Sequence, residues 1–307
     1  MRLRNREWMC GSIVAGLVVL SSISARAQDA GVKTFPTYPE AARAFVAAVK
    51  ANDDAAVKEM LGAEAHSMLS SGDPTTDEDD RVSFLKRYQE AHAFARESAD
   101  KVMLTIGPSA WPLPFPIVRV NGVWHFDAEA GARELMYRRI GNNELDAIRV
   151  NHALHDAQKE YAAAGHDGNP PGVYAQRFRS SPGTENGLYW EAKEGEPESP
   201  AGSLVAEAES EGSQPGKRTP FHGYYFRILK AQGPHAPGGA KDFVKDGKMT
   251  GGFAILAYPA EYKASGVMTF IVGTRGMVYE KDMGDGTAEA ARGMTAFDPD
   301  SSWKPVH

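Results

Sequence analysis

The chain has 307 residues, 34 of them Lys or Arg and 40 Asp or Glu, for a formal net charge of −6. Residues 1–27 hold four Arg and one Glu, leaving −9 on residues 28–307, an acidic balance without basic runs that argues against nucleic acid and anionic membrane surfaces as partners. The one cysteine, Cys10, lies in that first segment, so residues 28–307 can use neither disulfides nor thiol chemistry; they are numerous enough to bury a core unaided and to form two domains.

Arg2, Arg4 and Arg6 begin the chain, Gly11–Leu20 forms an apolar run, and Ala25-Arg26-Ala27 supplies a small-x-small site. This is the pattern of a cleaved export signal. The apolar run is shorter than the roughly 20 residues a spanning helix needs, and Ser21, Ser22 and Ser24 end it. No apolar run precedes Cys10, as a lipoprotein signal requires, and no Arg-Arg pair marks this segment for export in the folded state. The expectation is a signal peptide over 1–27, a bacterial periplasmic or secreted location, and no membrane insertion after cleavage.

The next elements are predicted helices. Thr37-Tyr38-Pro39-Glu40 has the form of a capping box, and Ala42, Phe45 and Val49 follow at helical spacing. Asp53 or Asp54 can cap a second, short helix closed by Gly62. Asp77-Glu78-Asp79-Asp80 precedes Val82, Leu85 and Tyr88, and reads as a solvated helix N-terminus rather than a cation site. A strand is predicted over Val102–Ile106. Trp111-Pro112-Leu113-Pro114-Phe115-Pro116 excludes a central strand and favours an extended edge. Asn121-Gly122 between Ile117–Val120 and Val123–Phe126 predicts a two-residue hairpin. Asp127 then caps a helix through Tyr137, ended by Gly141. Helices followed by strands describe an α+β unit over 28–141, similar in order to NTF2-like or cystatin-like rolls.

A second, longer helix is predicted from Asn143, its stripe carried by Ala147, Val150, Leu154, Ala157 and Tyr161, and its end by Gly165. Residues 165–219, rich in Pro, Gly, Ser and Glu, read as a surface excursion whose Gly187-Leu188-Tyr189-Trp190 island docks. Tyr224–Leu229, Phe253–Tyr258, Val267–Val272 and Met277–Tyr279 predict an antiparallel meander, followed by a short tail. The second domain expected is therefore 142–307.

Several segments together carry a family resemblance: Ser70-Ser71-Gly72-Asp73-Pro74, Arg138–Leu145 (RRIGNNEL), Gly187–Trp190, His222–Leu229 (HGYYFRIL) and Gly266–Val272 (GVMTFIV). On these the chain resembles DUF2950, a family of secreted bacterial proteins; the resemblance implies no established activity, cofactor or catalytic residue. The C-terminal half also looks like the globular part of type IV pilins and pseudopilins in outline, though its long helix is internal and its leader ends in a signal-peptidase site.

Candidate chemistry is sparse. His152 and His155, with Asp156 beside them, offer at most two ligands from one helix, with His166 or Asp167 as a distant third; structural zinc sites use four. The loop 166–172 lacks the carboxylates of a calcium site and reads as a turn. No serine sits in Gly-x-Ser-x-Gly, and Gly238-Gly239 and Gly251-Gly252 lack a phosphate cradle's flanks. The aromatic set Trp111, Trp124 and His125 is the candidate ligand-binding group, although strand alternation puts Trp124 and His125 on opposite faces. No cofactor is expected. The functional expectation is a non-catalytic module that binds an envelope protein or surface component; the alternative is a small-ligand carrier or enzyme using a pocket in the first unit.

Overall fold

The computed structural model describes residues 32–306 apart from 71–73, 193–194, 196–197 and 211–218. The signal peptide expected over 1–27, with Cys10, lies outside the described residues. The architecture is α+β, with helices first, a small antiparallel sheet, one long helix and a second antiparallel sheet.

Helices α1 (Tyr38–Ala51), α2 (Asp54–Leu61), α3 (Ala63–Ser67) and α4 (Pro74–Glu90) come first. Thr37 Oγ1 accepts from Glu40 N–H, and Asp53 Oδ1 from Ala56 N–H, so the capping residues do satisfy amides that have no intrahelical partner. The short α3 has no side-chain cap, which leaves little local signal to announce it.

Strands β1 (His92–Arg96), β2 (Lys101–Ile106), β3 (Trp111–Pro112), β4 (Ile117–Val120) and β5 (Val123–Phe126) form a sheet in the order β1-β2-β4-β5, with β3 also paired to β2. β1 was not expected, and its exposure pattern explains why: an edge strand with no buried residue has no reason to alternate apolar and polar residues. The β4–β5 turn has φ of +52° at Asn121 and +83° at Gly122, the backbone that Asn-Gly tolerates best. Phe45, Leu61, Leu104, Phe115, Ile117, Trp124 and Phe126 are among the residues of the first core.

Helix α5 runs unbroken from Ala128 to Ala164, 37 residues, capped by Asp127 Oδ1 on Ala130 N–H and closed by Gly165 at φ +73°. The sequence predicts two helices here, parted at Gly141; the structure corrects this. Gly141 has the intrinsic cost of a helical glycine, about 1 kcal/mol, and the packing of both halves of α5 outweighs it. Ala128, Ala132 and Leu135 pack on the first core, while Ala147, Val150, Leu154, Ala157 and Tyr161 belong to a second one. The expected division at 141/142 thus falls inside one helix.

The excursion is more docked than its composition suggests. Val173, Ala175, Leu188, Ala201 and Leu204 are buried, and α6 (Gly202–Ser210) lies within it. Strands β6 (Tyr224–Leu229), β7 (Ala231–Gln232), β8 (Lys241–Asp242), β9 (Val244–Lys245), β10 (Lys248–Met249), β11 (Ala254–Pro259), β12 (Met268–Gly273) and β13 (Val278–Asp282) follow, then α7 (Thr287–Gly293), β14 (Ala296–Phe297) and β15 (Lys304–Pro305). The main C-terminal sheet has the order β15-β13-β12-β11-β6, antiparallel throughout, so the four long strands form the expected meander. All six residues of β11 are buried, because both α5 and α7 pack against it; a strand covered on both faces reads as a continuous apolar run.

Candidate functional site

The three candidate binding residues do not converge. Trp124 is buried in the first core, with its ring 5.1 Å from that of Tyr38 and its backbone paired to Phe35. Trp111 is 50% exposed on β3, and the Arg138 guanidinium stands 4.9 Å from its ring centre while also donating to Pro112 O at 3.0 Å. His125, half-buried on the opposite face of β5 from Trp124, lines a cavity of about 510 Å³ between α3 and the start of α5, among Leu61, Met68, Phe126, Ala132 and Met136.

Trp111 opens instead on a groove of about 550 Å³ beneath α4. Phe45, Val57, Ile106, Leu113 and Phe115 form its apolar floor, each buried. α4 spans it, and among its described side chains none is buried: Phe84 reaches into the groove half-buried, and Val82 faces solvent. Most of the other side chains that α4 presents to the groove, Asp77, Asp80, Arg81 and Arg87, are charged, so the helix leaves a groove along the core instead of sealing onto it. The rim holds Asp54, Asp77, Asp80 and Arg87, with Ser70 Oγ donating to Asp77 Oδ2 at 2.7 Å and His66 Nε2 3.6 Å from Asp54. Leu69, exposed at the same rim, carried no signal in the sequence.

The histidines are likewise separated. His155 is buried, its ring nitrogens facing Asp156 Oδ1 at 3.0 Å and Thr274 O at 3.2 Å, whereas His152 is exposed. His166 contacts Glu185 Oε2 through Nδ1 at 2.8 Å and packs on Tyr161 and Trp190, and Asp167 holds a turn at φ +54°. Burial, with the nearby Asp167 and Glu185 charges adding to it, pushes the Tyr161 hydroxyl up to about 12. Among the described residues no three His, Cys, Asp or Glu side chains are grouped to hold a metal.

Segments far apart in the chain meet at the middle of α5. Glu144 Oε1 accepts from Val267 N–H at 2.9 Å and Met268 N–H at 3.0 Å, Asn143 Nδ2 donates to Ser265 O at 2.8 Å, and Tyr224 Oη donates to Met268 O at 2.9 Å. Gly266 has no Cβ because one would lie 2.2 Å from the Tyr224 hydroxyl. These polar side chains dock the helix on the sheet, a role that helical periodicity cannot disclose. Beside them Arg149 forms a fork with Glu207, at 2.8 and 3.3 Å, and reaches His222 at 3.1 Å and Asp146 at 3.3 Å. The bond to Glu207, opposed by partial burial, raises the Arg149 pKa, and the same bond lowers that of Glu207. The cluster ties α6 to α5 with charges that compensate one another.

A third cavity, about 450 Å³, lies in the excursion around Ser181, Thr184, Glu185, Trp190 and Glu191. The island Gly187–Trp190 was expected to dock, and Leu188 is fully buried; the hydroxyls and carboxylates around it gave no pattern in the sequence.

The chain belongs to the family described as Protein of unknown function (DUF2950), which matches residues 32–306. No curated protein and no solved structure matches the chain significantly, so the pilin-like outline has no support from that comparison. Among the described residues no helix is long and apolar enough to cross a membrane.

Proposed function

We propose that this protein is a non-catalytic extracytoplasmic binding module that seats an apolar portion of an envelope component in the groove beneath α4. The observation that carries this reading is a groove with an apolar floor beneath a charged helix, with Trp111 half exposed at its rim as a ready aromatic anchor. The polar groups stand at the rim, where they orient an occupant. The export pattern of residues 1–27 supports the compartment, and mass analysis of the exported protein is expected to find an N-terminus at Gln28. An intact leader on exported material would overturn that part.

The groove is tested with N-phenyl-1-naphthylamine, an apolar dye that brightens when it leaves water. Saturable binding is expected, weakened about tenfold by Trp111→Ala or Leu69→Asp, both exposed sites whose substitution should leave the melting temperature unchanged. The second reading, a small-ligand carrier or enzyme using the first unit, is favoured by the cavity that His125 lines. Dye binding lost in His125→Ala and untouched in Trp111→Ala would replace the first reading by the second.

A further inference from the structure

We infer that the cavity formed by residues 179–191 is a saccharide-binding site, separate from the groove beneath α4. Its frame is rigid and anchored. Tyr161 Oη donates to Glu185 O at 2.8 Å and His166 contacts the Glu185 carboxylate at 2.8 Å, tying the loop to α5. Within the loop Ser180 N–H donates to Tyr189 O at 2.8 Å, Gly187 N–H to Ser180 Oγ at 2.9 Å, and Ser181 N–H to Asn186 Oδ1 at 3.0 Å. The turns approach so closely that a Cβ on Gly187 would lie 2.7 Å from Ser180 N. A site held this way binds without first having to order its own backbone.

The lining identifies the ligand class. A pyranose presents an apolar C–H face and a ring of hydroxyls that both donate and accept. The cavity offers the matching parts: the aromatic side chains of Tyr189 and Trp190, the acceptor carboxylates of Glu191 and of Glu185 beside its His166 contact, the Ser181 hydroxyl, which accepts from Arg177 and keeps its proton to donate, and the Thr184 hydroxyl, which donates to Ser181 O and can still accept. At about 450 Å³ it falls in the size range of small-molecule sites. An anionic ligand is disfavoured, because two carboxylates line the cavity against one guanidinium, Arg179, which lies 4.5 Å from the Tyr189 ring centre. An apolar ligand is disfavoured too, since it would cover hydroxyls and carboxylates without satisfying them. A neutral polyol with one apolar face meets both constraints.

The test is saturation-transfer NMR on the purified protein with cellotetraose, maltotetraose and chitotetraose. At least one should receive saturation, strongest on its ring C–H protons. Trp190→Ala should weaken binding about tenfold by removing the stacking face, and Glu191→Gln by a similar factor through loss of the charged acceptor. Glu191 is exposed, so its variant should keep the wild-type melting temperature even if Trp190→Ala, which also packs on the second core, does not. Trp111→Ala should leave the transfer unchanged. Absence of transfer to all three oligosaccharides, or undiminished transfer in either variant that retains its fold, overturns the inference.

Discussion

Replacing Gln158 by leucine should cost the protein about 3 kcal/mol of stability, measured as a lowered urea midpoint. Gln158 sits fully buried on α5, and its amide grips one residue of the excursion from both sides: Nε2 donates to Ala175 O at 2.8 Å, and Oε1 accepts from Ala175 N–H at 3.0 Å. Leucine fills nearly the same volume, so a cavity does not confuse the result. It leaves a buried N–H and a buried C=O without partners, each costing about 1–3 kcal/mol. Gln158→Glu sharpens the test: a carboxylate can still accept from Ala175 N–H but repels Ala175 O, so at neutral pH it should destabilise at least as much as leucine. Hydrogen exchange at the Ala175 amide should accelerate in both. If Gln158→Leu unfolds at the wild-type midpoint, the excursion is not held to α5 in this way.

Two glycines of the same helix should respond in opposite directions to alanine. A Cβ on Gly131 would lie 1.9 Å from Phe115 Cδ1, so the Phe115 ring, buried in the first core, would have to shift against its packed neighbours. Overpacking of this kind costs about 1–3 kcal/mol, and more when the neighbour cannot yield. Alanine's better helix propensity returns only about 1 kcal/mol, so the steric effect wins and Gly131→Ala should destabilise by about 2 kcal/mol. At Gly141 a Cβ meets nothing within 4 Å. There propensity acts alone, and Gly141→Ala should stabilise by about 0.5–1 kcal/mol, raising the melting temperature by a few degrees. A destabilised Gly141→Ala would mean that α5 is not continuous through this position.

That pair also shows where sequence reasoning stops. Gly131 and Gly141 are indistinguishable as letters, and Gly141-Asn142-Asn143 has the composition of a helix end. The continuity of α5 comes from cores that grip it on both sides of Gly141, one through Leu135 and the other through Ala147 and Val150. Neither core is local. The same applies to the binding candidates. Alternation correctly separates Trp124 from His125 on β5, but whether Trp111 faces a groove depends on how α4 lies over the floor, and nothing in the Trp111–Pro116 run refers to α4. The missed strand β1 turns only Phe94, half-buried, toward the core, too little to leave a periodic trace.

What the sequence determined by itself was whatever depends on neighbouring residues. Thr37, Asp53 and Asp127 accept from amides three residues on, Asn121-Gly122 takes a backbone that few pairs tolerate, and the β11 and β12 runs are apolar because their strands are buried. The family, too, is legible there, since its segments can be read without knowing where they meet. Only the tertiary structure decided that Glu144 would receive the amides of Val267 and Met268, that Gln158 would clasp Ala175, and that Ser181, Glu185, Trp190 and Glu191 would share a cavity. Each of these depends on polar atoms brought together by the burial of apolar surface elsewhere. Burial leaves a pattern in the sequence; the polar contacts that it creates follow from geometry and leave none.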